Sequence, residues 1–404
     1  MKKIENKFVA LIVAGEASGD LHGAGLVHEL KRLAPEAEII GIGGDGMAAA
    51  GMELLFHIRD MAVIGFTEVL RHLRFFRRVM RTLEDEVARR RPAVVILIDY
   101  PGFNLRFAAR LRARYEKPPK IFYYIAPQVW AWGAKRIPKM ARLVDQMAVV
   151  FPFEAPLFQS AGIPTEFVGH PLLEGLRPKS NTDTFFARYQ IDAARPLLGL
   201  LPGSRHQELE RLLPDMVATA QLLRQTIPGL QIAVAMAPTL PESLYRTWIK
   251  DDDIRLVANA TYEVMRDSSA CLVCSGTATL ETACFETPLA VVYRVSRLSY
   301  EIGKRVVKLP YIGLVNVVAG RKIVPEFIQH DFVPARVAPV LAKLIKDSEY
   351  RAEVQRALAE VRTKLGTAGA SRRTAELALQ LGEQYCGEND LLHKTQNLLL
   401  PTDK

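Results

Sequence analysis

Apolar runs a few residues long alternate along this chain with longer stretches in which apolar side chains recur at every third or fourth position. The runs at 8–14, 37–42, 93–98, 121–125, 146–151 and 165–168 read as strands, the most apolar of them buried on both faces, and helical patterns fall between most of them. This is the rhythm of a doubly wound parallel sheet. It pauses after His170-Pro171-Leu172, in the polar, turn-rich stretch Arg177-Pro-Lys-Ser-Asn-Thr-Asp183, and restarts with strands at 196–201, 230–235, 254–257, 270–274 and 289–293. A helix is expected at 207–226, and from Pro334 onward the pattern is wholly helical, over 335–346 and 350–385. The expected architecture is α/β, with two Rossmann-like domains at 1–172 and 173–345 facing a central cleft. Helices at 346–385 would pack across the domains or onto a partner subunit, and 386–404 would form a flexible tail.

Composition narrows the class. With 49% hydrophobic and 24% charged residues in a chain of 404, disorder is excluded as the main state. No run reaches the ~18 apolar residues needed to cross a bilayer. Met1-Lys2-Lys3 and the apolar run behind it look like the start of a signal peptide. That run is short and passes straight into the polar loop at Gly15, so a first buried strand explains it better. Four cysteines make no disulfide framework and fit a reducing cytoplasm; Cys271-Leu-Val-Cys274 has CxxC spacing but reads as the inside of a strand. The charge balance, 53 basic against 44 acidic residues or +9, suits a nucleic acid, a phosphorylated small molecule or an anionic membrane.

The strand-to-helix junctions carry the chemistry. In Leu197-Leu-Gly-Leu-Leu-Pro-Gly-Ser-Arg-His-Gln-Glu208, Ser204 and Gln207 make a capping-box pattern after a Pro-Gly turn. A helix N-terminus holds phosphate through its unpaired N–H groups. Arg205 adds donors that a cap does not need, so Gly203, Ser204 and Arg205 favour phosphate over a plain capped loop. Cys271-Leu-Val-Cys-Ser-Gly-Thr-Ala-Thr-Leu-Glu-Thr-Ala-Cys284 repeats the arrangement. Gly276 and Thr277 offer N–H groups to a diphosphate, while Glu281 either accepts from ribose hydroxyls or complements the helix dipole. Val94-Val-Ile-Leu-Ile-Asp99-Tyr-Pro-Gly-Phe-Asn104 puts a carboxylate at the carboxyl edge of a central strand, placed for a general base, with Asn104 read as the cap of a helix at 105–115.

Other segments are less specific. Gly15-Glu-Ala-Ser-Gly-Asp20-Leu-His22 holds two carboxylates but has neither GxGxxG nor GK[ST] spacing, which argues against a dinucleotide or P-loop site, and Gly41-Ile-Gly-Gly-Asp-Gly46 reads as a tight turn. Tyr123-Tyr-Ile-Ala-Pro-Gln-Val-Trp-Ala-Trp132 reads equally as core packing or as the lining of a sugar cleft. Lys250-Asp-Asp-Asp-Ile254 reads as a solvated turn. Over 66–91, Leu70, Leu73, Phe76, Met80, Leu83 and Val87 form a core stripe. Arg71, Arg74, Arg77, Arg78 and Arg81 surround it, and Phe66, Val69, Phe75 and Val79 are left off it. That pattern reads either as a membrane-surface helix or as an ordinary helix with a solvated arginine face.

Taken together, Val13-Ala-Gly-Glu-Ala-Ser-Gly-Asp20, Ile98-Asp-Tyr-Pro-Gly-Phe-Asn104, Ala126-Pro-Gln-Val-Trp-Ala-Trp132, Phe167-Val-Gly-His-Pro171, Leu201-Pro-Gly-Ser-Arg205, Ser275-Gly-Thr-Ala-Thr-Leu-Glu281 and Asn316-Val-Val-Ala-Gly-Arg321 resemble the lipid-A-disaccharide synthase family, in the family's order from about residue 8 to about residue 375. The resemblance implies an inverting GT-B glycosyltransferase on the cytoplasmic face of the inner membrane of Gram-negative bacteria. It would join UDP-2,3-diacylglucosamine to 2,3-diacylglucosamine 1-phosphate through a β(1→6) bond and release UDP, with neither metal nor cofactor.

By the same resemblance Asp99 is the base for the acceptor 6-hydroxyl, and Arg205 stabilises the leaving charge. Gly203, Ser204, Gly276 and Thr277 hold the diphosphate, Glu281 the ribose, and Asn316 and Arg321 complete the donor site. Glu16, Ser18, Asp20, Gln128 and Trp130 fall on the acceptor side, and Phe66, Val69, Phe75, Val79, Arg74 and Arg78 on the membrane surface. Gly102 stands where some relatives carry a second acidic residue, which argues against a carboxylate pair there. A homodimer exchanging C-terminal elements is also implied. The rival readings are a UDP-sugar 2-epimerase of the same fold and a non-enzymatic membrane-surface adaptor. Nucleic-acid binding ranks last, for want of a reading module.

Overall fold

The first unit is a seven-stranded sheet, every neighbouring pair parallel. Its strands are β1 (Val9–Ala14), β2 (Glu38–Gly43), β3 (Glu53–His57), β4 (Val94–Ile98), β5 (Lys120–Tyr124), β6 (Gln146–Val149) and β7 (Thr165–Phe167), in the spatial order 3-2-1-4-5-6-7. The computed structural model describes residues 8–61, 69–306 and 309–398. β4 is wholly enclosed, as a Val-Val-Ile-Leu-Ile run covered by helices on both faces should be. Strand order reverses between β1 and β4, which pair with Ala14 opposite Ile98. At such a switch point a doubly wound sheet opens a crevice beyond its strand ends.

The second unit repeats the plan with six parallel strands: β8 (Leu197–Leu201), β9 (Gln231–Met236), β10 (Ile254–Ala258), β11 (Ala270–Cys274), β12 (Leu289–Tyr293) and β13 (Glu326–Ile328), in the order 10-9-8-11-12-13. Its switch point lies between β8 and β11, with Leu201 opposite Val273.

The two strands absent from the sequence reading, β3 and β13, are both sheet edges. β13 is three residues long, and neither has a fully buried side chain to mark it.

The chain crosses between units twice. The first unit is built from Met1–Pro171 and Thr367–Lys404, the second from Leu172–Gly366. The closing helices therefore do not form one set. The Ser348–Lys364 helix belongs to the second unit; the Ala370–Leu398 helix belongs to the first and packs on the Ala17–Leu33 helix. Residues 386–398, expected as tail, continue that last helix.

The arginine-rich helix, Val69–Arg90, corrects the surface expectation. Val79 is completely buried, in line with Met80, Leu83 and Val87, and Phe75 is half-buried, its ring edge-on to Phe56 at 6.1 Å. The apolar stripe is wider than a strict i, i+3, i+4 count allows, because the helix docks into the core on a broad face. Arg74, Arg77, Arg78 and Arg81 are exposed. Phe66 and the Val69 side chain lie outside the described residues. Among the described residues no helix is long and apolar enough to cross a membrane.

Candidate active site

Asp99 stands one residue beyond β4, at the switch point of the first unit, and the backbone turns sharply there. Asp99 and Tyr100 are both left-handed, with φ of 43° and 44°. Neither is a glycine, so the turn costs on the order of 1–3 kcal/mol per residue and is held by its surroundings. Asp99 N–H donates to Tyr124 O, while Asn104 Nδ2 (2.8 Å) and Tyr123 Oη donate to Asp99 O. These bonds spend the main chain of Asp99 and not its carboxylate. The helix starts at Pro101 and runs to Arg114, capped by Tyr100. Asn104 is thus a buried clamp on the turn rather than the expected cap.

Glu16 stands two residues beyond β1, across the switch point. Burial, and then the Glu16 charge, push the Asp99 carboxyl up to about 6, against a smaller lowering by Tyr100 N–H. Gly15 has a steric reason: a side chain there would land inside the Tyr100 ring. Ser18 is exposed beside Glu16. The Asp20 carboxylate accepts from Gly44 N (2.7 Å), Gly46 N (3.0 Å) and Met47 N (3.0 Å) and so holds the turn after β2.

The aromatic segment divides. Tyr123 and Tyr124 are fully buried core residues of β5, whereas Gln128 is exposed and Trp130 is half-buried. Trp130 Nε1 donates to Glu154 Oε1 at 2.8 Å, and its ring meets Phe153 edge-on at 5.1 Å. Glu154 itself is fully buried; burial, the largest effect, and more weakly the Asp99 charge raise its carboxyl to about 7, against the bonds from Trp130 and the main chain. His170 is held down to about 3 by burial and by His22, so it is neutral at physiological pH. Sequence reading missed Glu154. The available signal was Phe151-Pro-Phe-Glu154, a carboxylate just past a strand's carboxyl end, as with Asp99.

In the second unit, the loops after β8 and β11 lie side by side at the switch point. The His206–Thr226 helix is capped by Arg205, and Glu208, not Gln207, closes its N-terminus. The Glu208 carboxylate accepts from Ser204 N (3.0 Å) and Arg205 N (3.2 Å) and pairs with the exposed Arg205 guanidinium at 2.9 Å. Gly203, at φ 105°, is required twice over, because a side chain there would also collide with that carboxylate.

Beyond β11, Gly276 caps the Thr277–Cys284 helix and Thr277 is exposed. Glu281 is half-buried, accepts from Tyr262 Oη at 3.2 Å, and burial raises its pKa. Cys271 and Cys274 are enclosed in β11, and burial pushes both thiols up to about 12.

Asn316 also departs from direct donor contact. It has no exposed surface; its Oδ1 accepts from Ile323 N and Val324 N, and its Nδ2 donates to Val324 O and Glu326 Oε1. It shapes the 316–326 loop. Arg321, at the end of that loop's exposed arm, pairs with Glu360 at 3.0 Å.

A family described as Lipid-A-disaccharide synthetase matches residues 10–381. The lipid-A-disaccharide synthase of Geobacter sulfurreducens is 42% identical over 377 residues, covering 93% of this chain and 97% of its own. That of Syntrophus aciditrophicus is 43% identical over 383 residues, covering 93% and 98%. Among solved structures, a UDP-GlcNAc 2-epimerase from Neisseria meningitidis bound to UDP-GlcNAc aligns with a TM-score of 0.62 at 12% identity, over 93% of this chain and 100% of its own. A calicheamicin glycosyltransferase aligns at 0.58 and 16%, over 95% and 99%. At those identities the likeness is one of fold, shared by transferases and epimerases alike, whereas the sequence match runs through nearly the whole chain. The chain therefore belongs to the lipid-A-disaccharide synthase family, glycosyltransferases that assemble the lipid A disaccharide.

Proposed function

We propose that the protein transfers 2,3-diacylglucosamine from its UDP derivative to the 6-hydroxyl of 2,3-diacylglucosamine 1-phosphate by a single in-line displacement. The Asp99 carboxylate takes the hydroxyl proton as the oxygen bonds to the donor's anomeric carbon, and the bond from that carbon to the diphosphate oxygen breaks on the opposite face. Inversion turns an α-linked donor into a β(1→6) product. UDP leaves with its charge met by Arg205 and by N–H groups of Ser204, Gly276 and Thr277. Glu281, oriented by Tyr262, accepts from the ribose, and Arg321 sits on the donor side with its loop shaped by Asn316.

The observation that carries this reading is the Asp99 carboxyl, raised to about 6 at a switch point and locked by its own backbone bonds. A base tuned this way is ionised at neutral pH yet remains a competent proton acceptor.

The cytoplasmic face of the inner membrane belongs to the same proposal. Exposed Arg74, Arg77, Arg78 and Arg81 would meet anionic headgroups there, and a homodimer is carried with it from the family resemblance.

Mass spectrometry of the products from a diacylated UDP-glucosamine and its monosaccharide 1-phosphate partner tests the reading. A disaccharide 1-phosphate from the parent protein, lost in a folded Asp99→Ala variant, is expected. No disaccharide from folded parent protein overturns the function, and parent-rate formation by the variant removes Asp99 as base.

A further inference from the structure

Glu154 is a carboxylate with no exposed surface whose partners are an indole and the main chain rather than a cation. Oε1 accepts from Trp130 Nε1 at 2.8 Å and Oε2 from Phe151 N at 3.2 Å. Enclosing a carboxylate this way is costly, and an apolar side chain would fill the space more cheaply. What the fold obtains is a fixed indole. Trp130 stands edge-on to Phe153, with ring centroids 5.1 Å apart at 90°, and Phe153 lies flat on Phe151 at 5.5 Å and 5°. Phe151 and His170 back this group from the buried side, while Trp130 and Phe153 keep exposed surface. The group lies beyond the carboxyl ends of β5 and β6, the strands that follow β4 in the sheet, and the Asp99 charge is felt at Glu154.

We propose that Glu154 is a positioning residue for the acceptor. By anchoring Trp130 Nε1 it holds Trp130 and Phe153 as a rigid apolar wall against the C–H face of the acceptor's sugar ring and the first carbons of its acyl chains. The inference rests on the acceptor lying beside Asp99. Its reach is the acceptor alone, since both anchoring bonds are made within the first unit.

Steady-state kinetics on the full chain, varying acceptor at saturating donor and donor at saturating acceptor, test it with Glu154→Ala, Glu154→Gln and Trp130→Phe. Glu154→Ala and Trp130→Phe should each raise the acceptor KM roughly tenfold, the size of one lost charge-assisted hydrogen bond. Donor KM and UDP affinity should stay at parent values. Glu154→Gln, which keeps an oxygen for the indole N–H, should recover most of the loss, and Glu154→Ala combined with Trp130→Phe should add little to either. An unchanged acceptor KM in a folded Glu154→Ala protein, or an equal rise in donor KM, overturns the proposal. Should Glu154→Ala fail to fold, an unchanged acceptor KM in Trp130→Phe overturns it instead. Parent protein that forms no disaccharide defeats the function on which the wall depends, an outcome distinct from active protein with unmoved KM values.

Discussion

The Glu208 carboxylate occupies the anion position of its own loop: it accepts the N–H groups of Ser204 and Arg205 and holds the Arg205 guanidinium at 2.9 Å. A diphosphate bound there must displace it. Replacing Glu208 with Gln should therefore tighten UDP binding by roughly three- to tenfold while lowering stability by about 1 kcal/mol through the weakened cap. Calorimetric titration and thermal melts measure the two effects. Weaker or unchanged UDP affinity in a folded variant would show that the carboxylate and the diphosphate do not compete.

As the proposed base, Asp99 should set the acid limb of the rate profile. With its carboxyl raised to about 6, kcat/KM should climb as pH rises through 6 and level off above it. Burial is the larger cause and Glu16 the second, so Glu16→Gln should move that limb to lower pH without abolishing it. A limb that stays in place would detach Glu16 from the base.

The same raised pKa makes a stability statement of defined sign. The folded state holds the Asp99 proton more tightly than the unfolded chain, so its contribution is full below about pH 4 and is lost as pH rises through 6. Asp99→Asn should gain on the order of 1–2 kcal/mol over the parent at pH 7.5, and the gain should vanish near pH 4. Urea unfolding at the two pH values decides it, while activity should fall at least a hundredfold.

Asn316 and Arg321, neighbours in one motif, should behave oppositely. Asn316→Ala strands the buried N–H groups of Ile323 and Val324 and should cost about 2–4 kcal/mol. Arg321→Ala breaks only an exposed pair and should change stability by less than about 0.5 kcal/mol. Equal losses would place Arg321 in the fold rather than at the donor.

On the arginine-rich helix, Val79→Ala should destabilise by about 1–3 kcal/mol as a core truncation, with no specific effect on membranes. Arg74→Glu with Arg78→Glu should leave the fold intact and cut sedimentation with anionic vesicles roughly tenfold or more, most strongly at low salt. Vesicle binding that responds to Val79 but not to the arginines would reverse the assignment.

Both sheets and both switch-point loops were legible because their central strands are uninterrupted apolar runs ending in small residues and a charge. The edge strands β3 and β13 were not, since half-buried edges lack that signature. Motif position could not separate touching a ligand from holding a loop. Asp20 and Asn316 look like ligand contacts in sequence and turn out to bind backbone, because a short polar side chain serves either use. Glu154 went unseen for the converse reason: its partner Trp130 is 24 residues away, and only the fold brings them together.

The division of the chain also bears on how it is made. Leu172–Gly366 is contiguous, so the second unit can fold as it leaves the ribosome. The unit carrying Asp99 cannot finish until the Ala370–Leu398 helix arrives, with Gly382 passing close over Phe8 from the opposite end of the sequence. During synthesis the second unit therefore matures before the first, and the unit that carries Asp99 is completed last.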